Sequence, residues 1–339
     1  MTFDAKALFY TSPGKAEIRT VALGSADMQG EPCRIRTLWS GISRGTERLV
    51  FSGRLPESEW QRMRAPFQEG DFPFPVKYGY CNVGEVEEGP CGLKGRTVFS
   101  LHPHQDQFTV PAGAVVPLPD GVPPRRAILA ANMETALNVL WDSGAGAGDR
   151  IAIVGGGVLG LLIAFLAAGL PGAEVAVIDP LAERREVAVA FGAQFASPEE
   201  AVGVTGDADV VIHASASEEG IRLALALAGF EAKIIEASWF GDLRVGLDLG
   251  QAFHSRRLQL VSSQVGHVAF PRRARWNHRR RLEKALSLLR DAQLDKLITR
   301  EVVFDDLPHT LPEILGAAPS GLMTAVRYQN QKRSTHVRR

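Results

Sequence analysis

The sequence has few cysteines and no net charge, and these two absences narrow the classes of protein that fit it. Three cysteines occur in 339 residues, namely Cys33, Cys81 and Cys91. Their spacing shows no pairs, which argues against a disulfide framework and indicates a reducing compartment. Lysine plus arginine equals aspartate plus glutamate at 38 each. No overall field therefore favours nucleic acid or a membrane surface as the partner.

Long apolar runs and targeting signals are also absent. The longest apolar run, residues 159–170, is too short to cross a bilayer. Residues 1–10 lack the basic region and the apolar region of a signal peptide. With 45% hydrophobic residues, the chain is expected to be a cytoplasmic globular protein with enough length for two domains.

A glycine-rich turn in the middle of the chain predicts a dinucleotide site. Residues 151–154 are a short apolar run, typical of a strand buried on both faces. Gly155, Gly157 and Gly160 follow in the pattern G-x-G-x-x-G. The first glycine permits the turn, the second admits a pyrophosphate, and the third lets the helix pack on the strand. The predicted helix, residues 158–168, would point its positive end at the phosphates.

Asp179 ends the next apolar strand, nineteen positions after Gly160. A carboxylate there accepts hydrogen bonds from ribose hydroxyls and repels a 2′-phosphate, which favours NAD over NADP. Arg184 lies close enough in sequence to meet such a phosphate, so NADP stays an alternative. The other dinucleotide contacts predicted around the turn are Val158, Leu159 and Ala214.

The order of elements predicts an α/β protein with two domains. A β-rich domain is expected over residues 1–124, and a doubly wound parallel sheet over residues 125–266. The chain is then expected to return to the first domain over residues 267–328. Residues 329–339 are expected to be a disordered tail.

Several short motifs, in this order, resemble the medium-chain dehydrogenase/reductase superfamily, the group of alcohol dehydrogenases and quinone reductases. They are Gly41-Ile-Ser-Arg-Gly-Thr-Glu47, Gly79-Tyr-Cys-Asn-Val-Gly84, Pro117-Leu-Pro-Asp-Gly121, Thr135 and the glycine turn. The resemblance implies a GroES-like catalytic domain, a Rossmann domain, a small-molecule substrate and a homodimer formed through residues 258–263. The first motif is most similar to the hydroxyethyl-bacteriochlorophyllide dehydrogenases.

The positions that hold catalytic zinc in that superfamily carry other residues here. They are Arg44, Tyr80 and Ala131, and none of these is a zinc ligand. The four-cysteine lobe for structural zinc is missing as well. His102 and His104 with Cys81 form a conceivable cluster, but solvent exposure or packing in the core explains these residues better. We therefore predict no bound metal.

Without zinc, polarisation of a carbonyl and proton transfer fall to side chains. The resemblance implies that Arg44 and Tyr80 occupy two vacated ligand positions and that Thr46 matches a proton-passing hydroxyl. Glu134 lies next to Thr135, whose counterpart in the family lies beside the nicotinamide, so we predict Glu134 as an acid or base. Each of these residues also has a structural interpretation as an ion pair, a packed ring or a helix cap.

An arginine-rich run, residues 272–281, contains six arginines with Trp276 and His278. Arg275, Arg279 and Trp276 are predicted to bind an anionic or heteroaromatic substrate. A solvated basic face or an oligomer contact is the alternative interpretation, and no nucleic acid is expected.

These observations predict a zinc-independent NAD(P)-dependent oxidoreductase that interconverts an alcohol and a carbonyl. An NAD(P)H-dependent enone or quinone reductase is the first alternative. A non-catalytic, redox-sensing dinucleotide-binding protein is the second.

Overall fold

The computed structural model describes residues 4–23, 30–316 and 321–329, and these form two compact units. Among the described residues, the first unit contains those up to Leu118, Pro123–Ile128 and those from Ile298 onward. The second unit contains Pro119–Val122 and Leu129–Leu297. In the described part of the chain, no helix has the length and apolar character needed to cross a bilayer.

The strands, in chain order, are β1 (Asp4–Ser12), β2 (Lys15–Ala22), β3 (Pro32–Ile42), β4 (Glu69–Gly70), β5 (Val76–Lys77), β6 (Asn82–Glu88), β7 (Thr97–Ser100), β8 (Gln107–Pro111), β9 (Val115–Pro117), β10 (Arg150–Val154), β11 (Glu174–Ile178), β12 (Gln194–Ala196), β13 (Ala208–His213), β14 (Ala228–Glu236), β15 (Gln259–Ser262), β16 (Ile298–Val303) and β17 (Met323–Arg327). The α-helices are α1 (Arg44–Phe51), α2 (Pro124–Ala127), α3 (Ala130–Ser143), α4 (Val158–Ala167), α5 (Arg185–Ala190), α6 (Ala201–Thr205), α7 (Glu218–Leu227), α8 (His278–Leu288) and α9 (Leu307–Ile314).

The first unit is built on two sheets. One sheet has the order β16-β17-β3-β6-β7-β9, with β8 also paired to β3, and the other has the order β2-β1-β5-β4. All of these pairs are antiparallel except β16 with β17. Alternate residues of β3 point into a buried apolar cluster, as its polar and apolar alternation predicts. The predicted β-rich character is confirmed.

The second unit is a parallel sheet in the order β12-β11-β10-β13-β14-β15. Residues 151–154 of β10 are buried, which explains their uninterrupted apolar sequence. The chain goes from β10 to β11 on one side and later returns to β13 on the other side of β10. This reversal is the switch point of a doubly wound sheet, so the predicted α/β fold class is confirmed.

The boundaries of the units differ from the predicted ones in the last third of the chain. Residues 267–297, expected in the returning segment, cluster with the second unit, and the return begins at Ile298. The physical reason is that α8 packs on α3 through a buried ion pair. Of the predicted disordered tail, residues 330–339 lie outside the described residues.

That ion pair joins Arg281 of α8 to Glu134 of α3. Arg281 Nε lies 2.9 Å from a Glu134 oxygen, and the side chains are 2% and 6% exposed. The guanidinium also donates to Asn138 Oδ1 at 2.6 Å and to the carbonyls of Val265 and His267. Burial raises the pKa of Glu134, while the charge and hydrogen bond of Arg281 act in the opposite direction.

We predict that Arg281→Met destabilises the protein by about 3–5 kcal/mol at neutral pH, because it leaves the Glu134 carboxylate buried and unpaired. Without the arginine, the pKa of Glu134 rises further. The folded state then binds more protons than the unfolded state, so the loss of stability grows as pH rises. Urea unfolding at pH 5 and pH 8 measures this.

Arg279→Met is the matched control, since Arg279 pairs with Glu283 at an exposed position of the same helix and should cost less than about 1 kcal/mol. Equal losses for the two variants would contradict the assignment of a buried ion pair.

Candidate functional site

The glycine turn in the second unit has the geometry of a phosphate cradle. Gly155 adopts φ +116°, which side-chain-bearing residues rarely adopt, and its N–H donates to the Ile178 carbonyl at 2.8 Å. A Cβ at Gly160 would lie 1.9 Å from the Gly155 carbonyl oxygen. A Cβ at Gly157, where α4 begins, would meet nothing within 4 Å. The helix therefore packs tightly on the strand and leaves space at its positive end.

Asp179 is held in place at the end of β11. One carboxylate oxygen accepts from the Gly156 N–H at 2.7 Å, and the other accepts from the Leu181 N–H at 2.8 Å. Each oxygen keeps a further acceptor position, which suits ribose hydroxyls. Arg184 is buried and lies 3.2 Å from the Glu183 carboxylate.

The other predicted dinucleotide contacts lie in the second unit. Val158 and Leu159 are the first two residues of α4. Ala214 donates its N–H to the Val154 carbonyl at 2.8 Å, and its backbone passes beside Gly155. Thr135 lies on α3, where its hydroxyl donates to the Ala131 carbonyl. The turn, α4 and the start of the loop after β13 are thus brought together at the carboxyl end of the sheet.

In the first unit, a network of hydrogen bonds surrounds the buried carboxylate of Glu47, one turn into α1. The Tyr10 hydroxyl donates to it at 2.8 Å and the Ser43 N–H at 2.7 Å, while His104 Nε2 lies 3.0 Å away. His104 Nδ1 lies 2.7 Å from the Ser40 hydroxyl, which in turn lies 3.0 Å from the Tyr328 hydroxyl. These groups are buried, so the network connects polar groups through an apolar surrounding.

Tyr80 and Thr46 lie beside this network. The Tyr80 hydroxyl hydrogen-bonds to the side chains of Ser43 and Thr46. Burial raises the pKa of Tyr80, as do the nearby Cys81 and Glu47, and the two hydroxyls only partly oppose this. Tyr80 is therefore a neutral phenol at physiological pH, a form that donates a proton or a hydrogen bond.

Arg44 and Glu134 have structural partners. An Arg44 nitrogen donates to the Gly321 carbonyl at 3.0 Å, and this guanidinium is half-buried. Glu134 belongs to the second unit, where Arg281 holds its carboxylate. Sequence reasoning missed Arg281 as its partner, because Arg281 resembled the other arginines of its run.

The arginine-rich run divides into an inward residue and an outward group. Arg281 alone is buried, whereas Arg275 and Arg279 are exposed. The ring of Trp276 lies 4.7 Å from the ring of Trp141, and the Arg280 guanidinium stacks over it at 4.1 Å. Part of this run therefore stabilises the fold.

Comparisons with known proteins agree with this architecture. No protein-family model matches the chain. It is 24% identical over 315 residues to D-guloside 3-dehydrogenase of Escherichia coli (strain K12), which covers 84% of this chain and 89% of the relative. A structure described as a zinc-binding dehydrogenase from Sinorhizobium meliloti 1021, bound to NADP, aligns with TM-score 0.75 and 21% identity over 96% of this chain and 99% of that one. L-idonate 5-dehydrogenase from Escherichia coli aligns with TM-score 0.77 and 14% identity over 96% and 99% of the two chains.

This chain has the same fold as these dehydrogenase structures. The residues at the three positions that the sequence resemblance matched to zinc ligands do not fit a zinc ion. Arg44 stays protonated, Tyr80 has a raised pKa and Ala131 offers no donor atom.

The alternative histidines are already engaged. His102 stacks on Phe108 at 3.8 Å, and His104 contacts Glu47. Among residues 4–23, 30–316 and 321–329, no group of three His, Cys, Asp or Glu side chains is arranged to hold a metal.

We predict that Gly160→Ala lowers the unfolding free energy by about 1–3 kcal/mol, because its Cβ forces the turn and α4 apart. The same variant should weaken NADH binding, measured by fluorescence titration. Gly203→Ala is the control: this glycine is also helical, and a Cβ there meets nothing within 4 Å. It should be neutral or stabilising by up to about 1 kcal/mol. Wild-type stability and binding in Gly160→Ala would contradict the cradle geometry.

Proposed function

We propose that this chain is a zinc-independent NAD(P)-dependent oxidoreductase that interconverts a secondary alcohol and a carbonyl, with NAD(H) as the preferred cofactor. The observation that carries the proposal is the state of Tyr80, which is a neutral phenol hydrogen-bonded with the Thr46 side chain. The sequence resemblance matches the position of Tyr80 to a zinc ligand of the family. The glycine turn and Asp179 support dinucleotide binding.

The proposed mechanism assigns the proton chemistry to the first unit. A bound nicotinamide supplies or accepts the hydride. In the reducing direction, the Tyr80 hydroxyl donates a hydrogen bond to the substrate carbonyl and then its proton to the developing alkoxide. Thr46 and Ser43 stabilise the phenolate that remains, and they are the hydroxyls through which its proton is replaced. Glu47 orients Ser43 by accepting its N–H.

The substrate class is inferred from the relatives. By name, D-guloside 3-dehydrogenase and L-idonate 5-dehydrogenase act on sugar derivatives. We therefore propose a polyhydroxylated small molecule with a ring or chain secondary alcohol. Screening sugar derivatives and simple secondary alcohols against enones separates this function from an enone reductase.

We predict that Tyr80→Phe lowers the rate of carbonyl reduction by about 10²-fold or more, because the proton donor is lost. The raised pKa of Tyr80 also predicts how the rates of reduction and oxidation change with pH. Reduction uses the phenol, which persists across neutral pH, whereas oxidation of the alcohol needs the phenolate and should accelerate as pH rises. Initial rates in both directions between pH 6 and pH 9 measure this.

Tyr78→Phe is the matched control, since Tyr78 is also buried and its ring lies 6.1 Å from that of Tyr80. Its reduction rate should stay near that of the wild type. A Tyr80→Phe enzyme as fast as Tyr78→Phe would remove Tyr80 from the mechanism.

We predict that Asp179→Ser weakens NADH binding by about ten-fold and narrows the preference for NADH over NADPH, because the acceptor for the ribose hydroxyls is lost. Asp209→Ser is the control. Asp209 also accepts a backbone N–H, from Arg150 at 2.8 Å, but it lies at the opposite end of the sheet. Fluorescence titration with NADH and NADPH measures both affinities. If the wild type binds NADPH more tightly than NADH, the assignment of NAD as the preferred cofactor is wrong.

A further inference from the structure

A second hydrogen-bonded chain lies in the parallel sheet, at the carboxyl ends of β13 and β14. It joins Glu236, His213 and Ser215. His213 is fully buried; its Nδ1 lies 2.6 Å from a Glu236 oxygen and its Nε2 lies 2.6 Å from the Ser215 hydroxyl. His213 and Glu236 are register partners on neighbouring strands, so their contact is a direct product of the sheet.

The contacts around Glu236 suggest a direction for the hydrogen bonds of this chain. One Glu236 oxygen accepts from the Ser238 N–H at 2.7 Å, and we assign the other oxygen as the acceptor toward His213 Nδ1. We assign the His213 proton to Nδ1, facing Glu236, which leaves Nε2 as an acceptor. In this tautomer the Ser215 hydroxyl donates to Nε2. Its oxygen then accepts from the Ser217 hydroxyl at 3.0 Å and keeps one further lone pair for a ligand.

The backbone around Ser215 is shaped to keep this hydroxyl close to the glycine turn. A Cβ at Gly220 of α7 would lie 2.1 Å from the Ser215 oxygen. A Cβ at Gly155 would lie 2.8 Å from the Ser215 nitrogen. Only glycine is compatible with both approaches, and Ser215 itself remains exposed.

The strand order indicates which part of a bound dinucleotide Ser215 would contact. Asp179 follows β11, the glycine turn follows β10 and Ser215 follows β13, and these strands are adjacent in the order β11-β10-β13. An adenosine ribose on Asp179 and a pyrophosphate at the turn direct the other half of the molecule toward β13.

We propose that Ser215 is a hydrogen-bond acceptor for a ribose hydroxyl of the nicotinamide half of the cofactor, and that Glu236, acting through His213, is the positioning residue that sets this polarity. The inference rests on the proposed function, because it requires a dinucleotide. According to this inference, the affinity for the cofactor depends on Glu236, although Glu236 acts only through the buried His213.

Glu236→Gln tests the polarity with almost no change in shape. The Ser238 N–H keeps the amide oxygen on its side, which turns the amide NH₂ toward His213 Nδ1. The imidazole proton then moves to Nε2 and points at Ser215, so the serine oxygen loses an acceptor position. We expect Ser215→Ala and Glu236→Gln each to weaken binding of NADH and of ADP-ribose by about three- to ten-fold.

Two further measurements separate positioning from a general loss of structure. The double variant should bind no more weakly than either single variant, because both remove the same hydrogen bond. AMP, which lacks the nicotinamide riboside, should bind all variants equally. Glu231→Gln, on the same strand and paired with Arg257 at the surface, should bind every ligand as the wild type does.

Wild-type affinity of Ser215→Ala for NADH and ADP-ribose would overturn the proposal, as would an equal loss for AMP. If the wild type binds NADH with this pattern and reduces no carbonyl, the proposed function fails and the Ser215 contact stands. If the wild type binds neither NADH nor ADP-ribose, both fail.

Discussion

A carboxylate removed from water must be matched by hydrogen-bond donors or by a positive charge, and this requirement organises both units. Unmatched burial of a charge costs several kcal/mol. Glu47 is fully buried in the first unit and accepts from Tyr10 and the Ser43 backbone, with His104 in contact. Glu134 in the second unit is matched by Arg281. The start of α1 and the packing of α8 on α3 follow from these two carboxylates.

The consequence for chemistry lies in the first unit. By holding the Ser43 N–H, Glu47 places the turn between β3 and α1 against Tyr80. The same negative charge helps to raise the pKa of Tyr80, so the phenol keeps its proton. In the proposed mechanism, hydroxyl groups transfer the proton, whereas a zinc site polarises a carbonyl with a metal ion. In that mechanism, the raised pKa of Tyr80 and its hydroxyl neighbours make it the acid that protonates a developing alkoxide.

The glycine turn illustrates a local constraint that is readable in advance. Gly160, in the first turn of α4, packs against the Gly155 carbonyl of the preceding loop, and a side chain at either glycine would collide with nearby backbone. Their spacing, with apolar strands on both sides, predicted the turn, α4 and the doubly wound sheet, all of which the structure contains. The sequence contains no comparable pattern that predicts which distant residues form a buried ion pair. Glu134 lies 147 positions before Arg281, and the arginine run offered six equivalent candidates.

The sequence by itself determined the fold class and the glycine turn, because short-range periodicity and glycine spacing depend on neighbours in the chain. The tertiary structure alone decided which arginine enters the core, that α8 joins the second unit, and which groups surround Glu47. It also aligned His213 with Glu236 through strand register. Those contacts join residues far apart in the chain. Each contact forms because a particular buried polar group needs a hydrogen-bond partner, and no local sequence pattern encodes that requirement.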